Sequence, residues 1–234
     1  MTIASNLSII LDRIAQAARR AGRNPDDIAL MAVTKTVPTE RILEAYKAGQ
    51  RLFGENRVQE FALKAGSLVG LQGAEFHMIG HLQSNKAAKA AEVFHAVDSV
   101  DSAKLAERLN VAAAQICKTL GVLLEINIGA EEAKSGVAPE SPELEQILAG
   151  APEWPHLRIV GLMTVPPFTE DPEGARPYFR QLRELRDRLA ARAFPAVRLD
   201  EISMGMSHDF EVAIEEGSTC VRIGTAIFGE RPKP

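Results

Sequence analysis

Eight times along this chain a short apolar run rich in β-branched residues recurs, and between the runs lie longer stretches whose apolar residues fall three and four apart. The first pattern is that of a buried strand, the second that of a helix lying on a core. Strands are therefore expected at residues 28–35, 51–54, 75–80, 94–98, 122–127, 158–165, 197–203 and 220–223. Helices are expected at 38–49, 57–64, 84–91, 102–118, 141–149, 172–192 and 210–216, with a short turn at 226–228 closing the series. An extra N-terminal helix, 5–21, precedes the first strand: Leu7, Ile10, Leu11, Ile14 and Ala18 share a face and Gly22 stops it. Alternation of β and α implies an α/β protein with a parallel sheet covered by helices. Eight units in 234 residues fit a closed (β/α)8 TIM barrel, with a doubly wound open sheet as the alternative. No linker or composition break divides residues 1–234, so a single domain is expected.

Composition narrows the function classes. At 46% hydrophobic and 25% charged residues the chain is neither disordered nor fibrous. Its 27 Lys+Arg against 31 Asp+Glu leave a net charge of −4, which offers no electrostatic case for nucleic acid or an anionic membrane. No apolar run approaches the ~18–20 residues of a membrane span, and the N-terminus lacks the basic-then-apolar pattern of a signal peptide. Two cysteines, Cys117 and Cys220, make no disulfide framework; they read as packing residues in a cytoplasmic protein.

In a barrel the chemistry sits at the C-terminal ends of the strands. The residues there are Lys35, Glu55, Asn56, His81, Asp98, Asn127, the segment 203–207 and the segment 222–225. Lys35 ends the apolar run AVTK, where desolvation lowers an amine's pKa and favours Schiff-base chemistry; a strand-end lysine reaching solvent is the plain alternative. SMGMSHDF and VRIGTAIFG place small residues after the seventh and eighth strands. That is where barrels build phosphate sites, with ordinary glycine turns as the alternative. Arg222 lies inside an apolar strand, so it either pairs with a carboxylate such as Glu201 or faces a ligand. His77, His81 and His95 do not share metal-ligand spacing, and no metal is expected. Arg180, Arg183, Arg186 and Arg188, interleaved with Glu184 and Asp187, read as a solvated helix face with i,i+4 pairing.

The motifs AVTKTVP, LFGENRVQE, FHMIGHLQSNK, HAVDSVDS, INIGAEEAKSGV, GLMTVPP, SMGMSHDF and VRIGTAIFGER occur in order from about residue 31 to residue 231. Together they resemble the pyridoxal-phosphate homeostasis proteins, stand-alone relatives of the barrel domain of alanine racemase. The resemblance implies a fold-type III barrel holding pyridoxal 5′-phosphate (PLP) as an internal aldimine. It assigns Lys35 as the Schiff-base lysine, Ser203 with Gly224 and Thr225 as the phosphate cradle, and Arg222 as the residue facing the pyridine nitrogen. Asn56 and His81 match positions at the cofactor's mouth, and Lys134 lies in a motif linked to a second, looser PLP.

A two-base racemase needs an acid/base group on each face of the cofactor. Lys35 supplies one, whereas no second domain is expected after the barrel, and Tyr46 and Tyr178 are expected on outer helices. An arginine does not share its proton with the ring nitrogen, so the ring is a weak electron sink. The expectation is a monomeric, non-catalytic carrier that stores or delivers PLP to apo-enzymes or exchanges it with free amino acids. The alternatives are a low-turnover racemase with His81 as the missing base, and a cofactor-free aldolase using Lys35 on a sugar phosphate.

Overall fold

The computed structural model describes residues 2–131 and 134–229. Chain order runs α1 (Ile3–Arg20), β1 (Ala29–Val33), α2 (Thr39–Lys47), β2 (Leu52–Glu55), α3 (Val58–Leu68), β3 (Glu75–Met78) and α4 (Ala87–Val93). It continues β4 (Ala96–Val100), α5 (Ala103–Gln115), β5 (Leu120–Glu125), α6 (Pro142–Gly150), β6 (Leu157–Met163) and α7 (Arg176–Ala191). β7 (Val197–Met206), α8 (Phe210–Glu215), β8 (Cys220–Ile223) and α9 (Thr225–Phe228) complete the order. All eight strands pair in parallel with their sequence neighbours, and β8 returns to β1 through Ala29↔Cys220 and Met31↔Arg222. The sheet is closed, so the open-sheet alternative falls.

Strand alternation sends one set of side chains out to the helices and the other into the lumen. On the outer side Phe53 stacks on Phe76 with ring centroids 5.0 Å apart. Phe61 of α3 lies 4.8 Å from both Phe76 and Phe94. The inner side is tighter: a Cβ on Gly54 would stand 2.7 Å from Met31 Sδ, which is why β2 carries glycine there. α1 starts where Thr2 Oγ1 accepts from the Ser5 amide at 3.2 Å. It buries Ile3, Leu7, Ile10, Ile14, Ala17 and Ala18 against α8, α9 and α2. Arg23 fastens its far end by donating to the carbonyls of Ile214 and Ser218.

Three expectations need correction. β7 runs on to Met206 rather than ending at Ser203, because Gly205, at φ +92°, sits in a bulge that the sequence presents as a turn. Cys117 is exposed beyond the end of α5 at φ +54° and does not pack in a helix. The α7 arginines do not pair with Glu184: Arg180 and Arg183 reach Glu216 beyond α8, Arg188 reaches Glu140, and only Arg186 finds Asp187, its immediate neighbour.

Candidate functional site

At the end of β1, Thr34 turns outward between strands and helices, so its successor Lys35 turns toward the mouth. Lys35 lines a cavity of about 270 Å³ together with Val33, Thr36, Arg41, Gly224 and Thr225. The strand-end amine of β1 and the turn after β8 therefore share one space because β8 closes on β1. The nearest atoms to a Cβ on Gly224 would be those of Val33, at an ordinary 3.5 Å. Packing thus does not demand glycine at this point; a side chain there would take up cavity. The turn feeds directly into α9, whose first amide groups have no carbonyl within the helix to bond.

Two residues before Gly224 along β8 lies Arg222, 4% exposed. Its Nη1 donates to Ser203 Oγ at 2.7 Å and its Nη2 to the Thr164 carbonyl at 2.7 Å. Glu201 is not its partner, against the expectation. Burial pulls the Arg222 pKa below its ordinary value, opposed by the negative charges of Asp98, Glu125 and Asp209. Ser203 pairs with Cys220 across the β7–β8 ladder, two residues below the level of Arg222 and four below Gly224. The serine is wholly buried and holds the guanidinium; it does not stand beside Gly224 and Thr225. Ser207 of the same motif lies past the end of β7, in the turn tied down by the Met206 amide donating to Asp209 Oδ1 at 2.7 Å.

Across the mouth a second cavity, about 570 Å³, is lined by Asn56, Ile79, Gly80, His81, Glu125, Lys134, Ser135 and Val165. Asn56 comes within the closest approach of Gly80: a Cβ on Gly80 would sit 2.4 Å from the Asn56 carbonyl oxygen. His81 is more than half exposed, with Nδ1 3.2 Å from Asp101. Lys134 Nζ donates to Glu131 Oε1 at 2.6 Å and to the Pro166 carbonyl at 3.1 Å. Residues 132 and 133 of its motif, and 230 and 231 of the last one, lie outside the described residues.

Sequence reasoning missed Glu125. The carboxyl that ends β5 is 7% exposed and its pKa is raised, mainly by burial. The signal was available, since Glu125 interrupts the apolar run of the strand expected at 122–127 as Arg222 interrupts that at 220–223. Lys64 was also missed. Its Nζ donates to Glu55 Oε1 at 2.6 Å and to the carbonyls of Thr34 and Val37 at 3.1 and 3.4 Å, bracketing the Lys35 turn.

Fold and site together define a closed (β/α)8 barrel whose mouth joins a strand-end amine to a glycine turn, with a buried guanidinium two residues before that glycine along β8. The chain belongs to the alanine racemase N-terminal domain family, whose model matches residues 6–232. It is 47% identical over 99% of both chains to the pyridoxal phosphate homeostasis protein of Aquifex aeolicus. To the protein of that name from Escherichia coli K12 it is 45% identical, over 98% of this chain and 97% of the other. Among solved structures, PipY of Synechococcus elongatus with PLP bound superposes at a TM-score of 0.81 with 36% identity, covering 97% of this chain and 100% of that one. An uncharacterised Bifidobacterium adolescentis protein superposes at 0.88 with 41% identity, over 97% and 94%. Alanine racemase of Clostridium difficile, at 15% identity and 0.74, shares the fold over 58% of its own length.

Proposed function

We propose that this barrel binds pyridoxal 5′-phosphate and serves PLP homeostasis, holding the cofactor for storage or delivery. The observation that carries the reading is that Lys35, Gly224 and Thr225 line one cavity, with the buried Arg222 two residues before Gly224 along β8. The donor set fits the group: an amine for its aldehyde, a glycine turn with the Thr225 hydroxyl for its phosphate, and a guanidinium for its ring nitrogen. PipY, a relative with PLP bound, supports PLP as the group taken up. When bound, PLP supplies an aldehyde that condenses reversibly with amines. Ser203, from its place under Arg222, orients the guanidinium, while Asn56 and His81 border the entrance.

The same residues argue for holding rather than turnover. An arginine keeps its proton, and so does not protonate a ring nitrogen beside it. Tyr46 sits on α2, where its hydroxyl donates to the Gln72 carbonyl, and Tyr178 sits on α7. Both are outside the barrel, far from serving as a second base. Acceptors of the cofactor are taken to be apo-enzymes or free amines, and the carrier to act as a monomeric single domain in the cytoplasm. Among the described residues no helix is long and apolar enough to cross a membrane.

The test is a visible absorbance spectrum of wild type beside Lys35→Ala, before and after borohydride. Wild type is expected to take up PLP with a yellow band that reduction bleaches and fixes covalently, and the variant to lose that band. A wild type that takes up no added PLP overturns the reading. With loaded protein, racemisation of L-alanine is expected to stay at the uncatalysed rate, and sustained turnover would make the protein an enzyme.

A further inference from the structure

The cavity at the end of β1 carries two positive charges and, among the described residues, no negative one: Lys35 and Arg41 are the charged members of its lining. The aldehyde of the proposed cofactor accounts for Lys35 and leaves Arg41 without a role. Arg41 stands in the first turn of α2, where Ile42 and Ala45 are buried against the core and its own side chain is half-buried. Its Nη2 donates to the Phe228 carbonyl at 3.0 Å, which ties the guanidinium to α9. That bond uses one of five N–H groups, and a neutral donor would make it as well. Arginines on the outer helices behave differently, for Arg13, Arg57 and Arg192 each meet a carboxylate. Among the described residues Arg41 meets none, so its charge is open to an anion in the cavity. The phosphate cradle, for its part, is short of a member. Ser203 holds Arg222 instead, which leaves Gly224 and the Thr225 hydroxyl. A phosphate monoester carries about 1.5 to 2 negative charges near neutral pH, and a glycine turn with a hydroxyl offers it no net charge.

We infer that Arg41 is the counter-charge for the phosphate of the bound cofactor, and that it makes the cavity select a phosphorylated aldehyde over the same aldehyde without its phosphate. The inference deepens the proposed function and rests on it. The planar fork of a guanidinium matches two phosphate oxygens at once. The bond to Phe228 holds that fork before the ligand arrives, so less side-chain freedom is lost on binding. Lys35 answers the aldehyde that both ligands share, and Arg41 answers the group that only one of them has.

Titration of cofactor-free protein with PLP and with pyridoxal, followed by absorbance, and with inorganic phosphate, followed by calorimetry, tests the assignment. Wild type is expected to take up PLP more tightly than pyridoxal. Arg41→Gln, uncharged but still an N–H donor, should weaken PLP by about tenfold or more, the worth of one charge-assisted hydrogen bond. It should leave pyridoxal unchanged and bind inorganic phosphate more weakly than wild type. Arg41→Lys, which keeps the charge and loses the fork, should fall between the two. Added salt should weaken PLP more steeply in wild type than in Arg41→Gln. If Arg41 only ties α2 to α9, its loss weakens both aldehydes together, and that result overturns the inference. An unchanged preference for PLP in Arg41→Gln overturns it too. In both results wild type still takes up PLP, so the cofactor reading stands; a wild type that takes up neither aldehyde overturns that reading and the inference with it.

Discussion

Lys35 is aimed by a side chain from another element. Lys64 of α3 ties Thr34 and Val37 on either side of the lysine turn, and Glu55 neutralises it from a fully buried position while also accepting from Thr34 Oγ1 at 2.7 Å. Between the two ties Thr36 is held at φ +62°, a conformation a threonine adopts only when its surroundings enforce it. Lys64→Met removes the cation and leaves Glu55 buried without it, so a loss of about 3 kcal/mol is expected in urea unfolding. PLP affinity should fall as well, and amide exchange at residues 34–37 should quicken in the cofactor-free protein. An unchanged exchange rate would show that the lysine only fills space. At this scale the sequence was half legible. Charged residues in or at the end of apolar runs drew attention to Lys35, which lines the first cavity, and applied evenly they draw it to Glu125. Glu55, by contrast, stands at a strand end yet turns outward to Lys64, and a period-two pattern read on one strand does not say which of its faces meets the lumen.

Elements were legible where their pattern is local. Hydrophobic spacing placed every strand and the helix after each of the first seven, while the turn expected after β8 is the short helix α9, and β8 ends where the run CVRI ends. What escaped was the register between strands. Ser203 and Met206 pair with Cys220 and Arg222, three residues on β7 against two on β8, so the bulge at Gly205 lowers Ser203 by one step. A Cβ on Gly205 would come 2.5 Å from the Ala213 Cβ, which makes that glycine a matter of packing against α8. The junction of α7 with the end of α8 was also hidden, because it joins residues 33 to 40 apart. Glu216, 5% exposed, gathers Arg176, Arg180 and Arg183 at 3.1, 2.9 and 3.0 Å. Burial opposes its ionisation, but Arg180 and Arg176 hold the carboxyl below its ordinary value of 4.5. A depressed pKa adds stability above the unfolded value and loses it as pH falls through the folded one. Glu216→Gln should cost about 2 kcal/mol at neutral pH, discounted for the exposed arginines. Below pH 4.5 the wild-type advantage should shrink; a gap that holds constant into acid would place its origin in packing instead.

The whole molecule is a barrel with charge at both ends of its lumen, and this was the least legible level because lumen neighbours come from different strands. The N-terminal end holds His77 of β3, with Nδ1 3.0 Å from Asp98 of β4 and Nε2 3.6 Å from Glu75. Glu201 of β7 also faces this hollow, and burial raises its pKa. For His77, burial alone would favour the neutral ring, but the charge and hydrogen bond of Asp98, aided by Glu75, prevail and raise its pKa from 6.5 to about 10. Cys220, in the same hollow and pushed up to about 12 by burial, stays a thiol through that range. A histidine whose pKa rises on folding stabilises the fold fully below its unfolded value, and that stability is lost as pH climbs through the folded value. The barrel should therefore lose urea resistance steadily from pH 6.5 to about 10. His77→Gln should be less stable at the acid end of this window and show a flatter slope, converging on wild type at the alkaline end. Asp98→Asn should flatten the slope in the same way, since it removes the partner that raises the histidine. Parallel slopes for wild type and both variants would show that the floor pair does not titrate with folding, and the closure of β3 on β4 would then rest on its backbone ladder alone.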